Sequence, residues 1–427
     1  MSPTATPIMT PIPVVSPTSA PTGVVPTPLS QAAKSSDAFV DAIGVNVHLS
    51  YTNSPYVTAW NQVEAMLIAS GIRHIRDGLN DTTWQGYYDH LNALGTAGIH
   101  SDLIIPITAT AALITAYPSR VASSIEAFEG PNEYDLSGDP NWVKKLQSAQ
   151  ALLATTVRGN AATSRYPVIG PSLTSLNAFA AVGNLAGSAD YGNIHWYFSG
   201  FNPGTTGYGN TYPPFGTYGS LLFNMAIARQ ATGSEPIRAT ESGYDDSLAD
   251  PAPIPSAIKA RYTQRLLLEG WNGGLDRTYI YELLDEGSSP FQGMGLLDSN
   301  ANPKPAYTAV KNLIQALADP GPAFTTTPLV YGLAATPSLH HALFQKRNGT
   351  YILALWEEVP SWNPNSKSLV VVTPQTLSLS FNATPSTISA ATFDDTGNAG
   401  STTLNMSAHS VYRVQISDHV TLVTIKP

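Results

Sequence analysis

Short β-type runs alternate with helical or connecting segments eight times between Ile43 and Leu317, and this constrains the fold more than any other feature of the sequence. The runs are Ile43–Leu49 (IGVNVHL), Ile72–Arg76 (IRHIR), Ile99–Ile105, Ile125–Glu129 (IEAFE), Pro167–Gly170, Asn193–Tyr197 (NIHWY), Ile237–Thr240 and Arg277–Tyr281. Helical periodicity fills the intervals at about Tyr56–Ala69, through Trp84 and Leu94, over Asn141–Thr163 and over Ala306–Leu317. Strand followed by helix, repeated, is the signature of parallel βα units. No G-x-G-x-x-G turn follows the first run, which speaks against an open dinucleotide-binding sheet. The expected fold class is α/β, a closed (β/α)₈ TIM barrel of roughly 250 residues.

The pattern changes near Pro320. From Leu329 the runs LHHALFQ, TYILALWEE, SLVVVT, TLSLSF and SVYRVQI carry no helical period, and Arg347-Asn348-Gly349 is a turn between two of them. They suit an antiparallel β-sandwich of about a hundred residues. The expected organisation is a Pro/Thr/Ser-rich segment over 1–36, the barrel over 37–320 and the sandwich over 321–427. The join ALADPGPAFTTTP is short, so the sandwich is expected to pack on the barrel rather than swing on a tether. The N-terminal segment is extended in character. Its apolar positions Ile8, Met9, Ile12, Val14 and Val15 favour docking over a free spacer.

Composition narrows the function. Charged residues make up 12% of the 427, the net charge is −9, and the 21 Lys and Arg form no cluster. A polyanionic backbone needs such clusters, so nucleic acid is not an expected partner. With no cysteine, disulfides and thiolate chemistry are excluded. No apolar run approaches the ~20 residues that cross a bilayer, so no membrane partner is expected. The N-terminus lacks the charged start and apolar stretch of a signal peptide. A mature secreted protein, its export signal removed, is the expectation. The nine histidines show no H-E-x-x-H spacing, and His340 and His341 face opposite ways in a β-run, so neither a metal nor a cofactor is expected. The oligomeric state is not legible.

Barrel chemistry sits at the C-terminal ends of the strands. That filter reduces 30 acidic residues to a few. They are Glu133 after the fourth strand, Glu241 after the seventh, Asp77 and Asp81 after the second, and Glu282, Asp285 and Glu286 after the eighth. Two carboxyls suit glycosidic cleavage, which needs a proton for the leaving oxygen and an anion facing an oxocarbenium-like carbon. Their environments must differ for one to stay protonated while the other stays ionised.

Asn132-Glu133 in FEGPNEYD and Glu241 in RATESGY resemble the clan A glycoside hydrolases, the "4/7" barrels, and most nearly members in the style of families 39 and 5 that carry a C-terminal β-sandwich. The resemblance implies that Glu133 is the acid/base and Glu241 the nucleophile of a retaining enzyme, with a carbohydrate substrate. It implies that Asn132 binds the sugar 2-hydroxyl, that Arg76 lies under the nucleophile, and that His195 and Tyr197 form the His-x-Tyr of strand six. GLLDSNANPKPAY from Gly295 is similar to the run from strand eight into the last helix. Two positions depart from the pattern: Tyr134 stands where proline is usual, and Tyr281-Glu282 where a tryptophan is common. Tyr134, Tyr244, Trp84 and Tyr281 are the aromatic rings that offer a face to a sugar, although such rings more often pack in cores. Trp196 alternates with His195 and Tyr197 and is expected to face the helix layer.

The expected function is therefore retaining hydrolysis of O-glycosides by double displacement. A transglycosylase would use the same residues with an acceptor sugar replacing water. A non-catalytic carbohydrate-binding barrel is the reading from another class, and the presence of both glutamates speaks against it. The site lacks the Arg/Lys cluster that a uronate lyase would need.

Overall fold

The computed structural model describes residues 25–427 apart from 122, 288–290, 335 and 408–410. The apolar positions between Ile8 and Val15 lie outside the described residues. Eight parallel strands form one sheet: β1 (Ile43–Asn46), β2 (His74–Gly78), β3 (His100–Ile104), β4 (Ile125–Glu129), β5 (Val168–Ile169), β6 (Gly192–Tyr197), β7 (Ile237–Gly243) and β8 (Arg277–Ile280). Each of β1 to β5 and each of β6 to β8 pairs with its neighbours in sequence within its run, and β8 pairs with β1. A bridge between Ile169 and Tyr191, with Gly170 N donating to Tyr191 O at 2.8 Å, links β5 to β6 and closes the barrel.

The outer layer is α1 (Trp60–Ser70), α2 (Gln85–Thr96), α3 (Ala111–Arg120), α4 (Trp142–Gly159), α5 (Leu176–Val182), α6 (Leu221–Thr232), α7 (Ser256–Gly273) and α8 (Pro305–Leu317). The helix expected over Tyr56–Ala69 is broken at Ala59, where φ −135° leaves the helical range. The first strand ends at Asn46, three residues before its apolar run does, because Val47 and Leu49 are buried in the loop beyond it. The fifth strand keeps only two of its four expected residues.

Beyond α8 lie two antiparallel sheets. One holds Leu329–Leu333, Gln375–Phe381 and Tyr412–Ile416, and Leu29–Gln31 joins its edge by pairing with Leu329–Leu333. The other holds Leu339–Gln345, Tyr351–Glu357, Thr421–Lys426, Thr387–Phe393 and Ala399–Thr403, and Lys34–Ser35 joins beside Leu339–Gln345. Residues 29–35 therefore belong structurally to the sandwich although they precede the barrel. SLVVVT departs from expectation: only Ser368–Leu369 is strand, and Val371 is exposed.

Strand Tyr351–Glu357 shows how the two units pack. Every residue in it is buried, as its unbroken apolar run requires. Alternate residues point to opposite faces. Leu353 and Leu355 enter the sandwich core, whereas Ile352, Ala354 and Trp356 join the barrel's apolar cluster. Phe344 from the neighbouring strand packs against Phe39 at 5.2 Å between ring centroids. This sheet is the outer face of α7, which explains why α7 is buried over most of its length.

Candidate active site

Strands β4, β6 and β7 deliver the central residues. β4 ends at Glu129 and runs into Gly130-Pro131-Asn132-Glu133. A Cβ on Gly130 would lie 2.1 Å from Gln150 Oε1 and 2.8 Å from Pro171 N, so only glycine fits the turn. Glu133 adopts a left-handed conformation (φ 43°), and its N–H donates to Ser172 O and Oγ at 3.2 and 3.1 Å. The strained backbone is thus held by the chain after β5.

In β7 a bulge adjoins the second carboxylate. Ala239 pairs with Ile194 and Glu241 with His195, leaving Thr240 as the extra residue. Bulges of this kind re-aim a side chain. Thr240 is fixed in turn, its carbonyl accepting from Asn46 Nδ2 at 2.9 Å and its hydroxyl donating to Asn193 Oδ1 at 2.7 Å. Three residues on, a Cβ at Gly243 would meet the Tyr281 carbonyl at 2.3 Å.

Arg76, in the middle of β2 and 2% exposed, organises the floor of the site. It donates to both oxygens of Glu129 (2.9 and 2.7 Å), to Asn46 Oδ1 (2.9 Å), to Asn132 Oδ1 (2.7 Å) and to Glu241 Oε1 (2.8 Å). Tyr197 OH donates to the other oxygen of Glu241 at 2.8 Å. Burial pushes the Glu241 carboxyl up, but the positive charges of His195 and Arg76, with the bonds from Tyr197 and Arg76, hold it below the usual glutamate range. His195 Nδ1 lies 2.6 Å from Glu133 Oε1 and 3.4 Å from Glu241 Oε2, bridging the two carboxyls. Oxygens of Glu133 and Glu241 and this nitrogen all lie within 4.8 Å of one another. Glu133 is the more open of the pair, its side chain 28% exposed against 11% for Glu241.

The structure therefore brings Asn132, Glu133, Arg76, His195, Tyr197 and Glu241 together. Three supporting residues escaped the sequence reading: Asn46, Glu129 and Asn193, which donates to Glu129 Oε1 at 3.0 Å. Their signal was a polar side chain inside an apolar strand run. Asp102 lies fully buried nearby, and burial, reinforced by the Glu129 charge, pushes its carboxyl well above the usual range.

The other expected residues divide. Tyr281 stays partly exposed; burial and then the charges of Glu282 and Glu241 push its hydroxyl up. Glu282 is fully buried, its Oε2 3.2 Å from His48 Nε2. Burial pushes its carboxyl up to about 7. Glu286 lies 3.6 Å from the same histidine nitrogen, and His48, Glu282 and Glu286 form a second group with ligand atoms within 4.8 Å. Asp285 is paired with Lys304 at 2.9 Å. Tyr134 hydrogen-bonds to Asp139 in its own loop at 3.2 Å.

Two aromatic assignments need correction. Tyr244 is buried, stacked on Phe198 (4.8 Å, 13°), with its hydroxyl donating to the Phe201 carbonyl at 2.8 Å, and shows no face to a ligand. Trp84 packs edge-on against His90, which stacks on Trp60, in the helix layer. Trp196 is buried facing α7, near Gly270, as its alternation with His195 requires. Among the described residues no helix is long and apolar enough to cross a membrane.

No protein-family model matches the sequence, and no curated protein matches it. Solved structures do. A family 39 glycoside hydrolase from the gut symbiont Bacteroides cellulosilyticus WH2 aligns with a TM-score of 0.63 at 14% identity, over 91% of this chain and 82% of that one. The GH51 α-L-arabinofuranosidase of Thermotoga petrophila RKU-1 gives 0.58 at 10% identity, over 93% and 98%. CelM2, a bifunctional glucanase-xylanase from a metagenome library, gives 0.57 at 9% identity, over 93% and 97%. At these identities the likeness is one of fold: a TIM barrel with a C-terminal β-sandwich, matched over most of the chain by glycoside hydrolases of families 39 and 51.

Proposed function

We propose that the chain is a retaining glycoside hydrolase, with Glu241 as nucleophile and Glu133 as acid/base. One observation carries this reading: the two carboxyls face each other with oxygens within 4.8 Å, and they sit in different environments. Retaining enzymes place the pair about 5–5.5 Å apart, whereas inverting ones leave roughly 6.5–9.5 Å for a water. Glu241 is ionised, oriented through both oxygens and nearly buried, which suits attack on the anomeric carbon. Glu133 is more open and touches His195, which suits a group that gives and takes a proton beside solvent.

In the first step Glu133 passes its proton to the leaving oxygen as Glu241 Oε2 or Oε1 bonds to the sugar. Arg76 and Tyr197 then release charge density from the carboxylate that becomes an ester. In the second step ionised Glu133 takes a proton from water, which displaces Glu241 with the original configuration restored. Asn132, whose Oδ1 is held by Arg76 and Ser172, keeps its amide N–H groups for a sugar hydroxyl.

The test separates the two glutamates. Glu241→Ala abolishes turnover of every glycoside. Glu133→Ala keeps the first step for aryl glycosides with activated leaving groups, and azide restores turnover to give a glycosyl azide of retained configuration. Near-wild-type activity in both variants, on a glycoside that the wild type cleaves, would overturn the assignment.

A further inference from the structure

Glu358 follows sandwich strand Tyr351–Glu357, and its side chain is 1% exposed. Five donors converge on it. Arg265 of α7 donates at 2.6 and 2.8 Å, and Trp356 Nε1 at 3.0 Å. The remaining two, Asn202 Nδ2 at 2.7 Å and Gly204 N–H at 2.9 Å, come from the segment that leaves β6. The Arg265 pair already compensates the buried carboxylate, so the two bonds from this segment chiefly fix where the segment lies.

That segment begins directly after Tyr197, at the mouth of the barrel. Its Phe201 and Tyr208 rings stack at 5.0 Å and 2°, and Tyr208 OH donates to the Tyr197 carbonyl at 2.9 Å. The loop is therefore pinned at one end to the residue that holds Glu241, and at the other to the sandwich. The approach is close: a Cβ on Gly204 would lie 2.3 Å from Glu358 Cγ.

We propose that Glu358 is a positioning residue, through which the sandwich fixes residues 198–217 as one wall of the sugar-binding cleft. The inference rests on the glycosidase reading above. It gives the second domain a part in substrate binding although none of its described residues is hydrogen-bonded or ion-paired to the two glutamates.

Asn202→Ala and Gly204→Ala test it: the first removes one donor and leaves the Arg265–Glu358 pair in place, and the second drives a methyl against the Glu358 side chain and pushes the loop off it. Asp395→Asn is the control, breaking the Arg261–Asp395 pair of the same interface away from the loop. Amide exchange and Michaelis constants on an aryl glycoside are measured for all three. In the two loop variants, exchange should quicken over 198–217, and KM should rise about five- to tenfold with kcat within about twofold. The control should match the wild type in both readouts. Unchanged exchange, or faster exchange with unchanged KM, overturns the proposal, as does a fall in melting temperature without either. Should the wild type cleave no aryl glycoside, the glycosidase reading falls instead. The clasp is then judged by exchange alone, and unaltered protection in both variants refutes it.

Discussion

Arg76 donates to Oε1 of Glu241 at 2.8 Å, and its four other N–H groups are all taken by Glu129, Asn46 and Asn132. A guanidinium has five N–H donors in a fixed fork, so none is left over. A buried cation is tolerable only when so fully paired. The consequence is positional: Arg76 cannot shift without breaking the floor, and Glu241 is held against a fixed charge.

Arg76→Lys should therefore be far from conservative. An ammonium is a point charge and cannot bind Glu129 through both oxygens while also reaching Glu241. We expect kcat/KM to fall by about 10²–10³-fold. Glu241 loses the hydrogen bond from Arg76, and the shorter lysine holds its charge farther off, so the acid limb of the pH–rate profile should move to higher pH. A limb that stays in place would show that Arg76 does not control the nucleophile.

Tyr197→Phe removes one hydrogen bond to a charged acceptor and almost no volume. Such bonds contribute about 1.5–3 kcal/mol, which sets a loss of about tenfold or more in kcat/KM. The acid limb should again rise, and the melting temperature should hardly change, because Arg76 still compensates the carboxylate. An unchanged acid limb in Tyr197→Phe would remove the hydroxyl from the account.

The contrast between these residues and Glu129 shows what the sequence could reveal. Eight β-type runs alternating with helical or connecting segments made the barrel legible; strand ends narrowed the acidic residues to seven, among which the resemblance pointed to Glu133 and Glu241. Glu129 was hidden because it closes the apolar-looking run IEAFE, and nothing local marks it as the partner of an arginine 53 positions earlier. Tyr244 failed for the opposite reason: its position after β7 is right, but Phe198 and Tyr262 bury it, a long-range packing that no spacing discloses. Residues 29–35 joined the sandwich because edge-strand pairing across some 300 residues leaves no sequence period at all.

Stability should fall as pH rises through neutrality. Burial raises the Asp77 carboxyl to about 7 and that of Glu282 likewise to about 7, while unfolded carboxyls titrate near 4. Between those values the native state holds protons that the unfolded chain has released, so stability is lost as pH climbs. His48, raised by Glu282 against its burial, adds the same sign. Glu241 acts oppositely, its contribution disappearing on acidification. Thermal melts should thus peak at mildly acidic pH, and Glu282→Gln should reduce the decline above it by about 2 kcal/mol. A decline of unaltered size in that variant would exclude Glu282 as its source.

Phe344→Ala should weaken the seam between the two units without touching the chemistry. Its ring is fully buried against Phe39 and Trp271, and truncating a buried Phe costs about 3–5 kcal/mol. One cooperative melt at lower temperature, with unchanged KM, is expected, because alternate residues of one strand serve both cores. Two separate transitions in the wild type would show that the units fold independently.

Gly130→Ala offers the most selective probe of the acid/base. The added methyl meets Gln150 Oε1 at 2.1 Å and the Pro171 backbone at 2.8 Å, and the latter cannot yield as a flexible side chain would. The turn from β4 must shift by a few tenths of an ångström or more, and Asn132 and Glu133 move with it. Among the described residues no hydrogen bond runs directly from this turn to β7; Asn132 and Glu133 meet it through Arg76 and His195, and Arg76 keeps its bonds to Glu129 and Asn46, so Glu241 should keep its bonds to Arg76 and Tyr197. Substrates whose leaving group needs a proton should lose about 10²-fold in kcat, since misplacement on the order of 1 Å carries such a penalty. Dinitrophenyl glycosides, which depart without protonation, should lose only a fewfold in the first step. The slope of log kcat/KM against leaving-group pKa should steepen accordingly. An equal loss across all leaving groups would mean that the shift reaches the nucleophile, and the separation of roles between the two strands would fail.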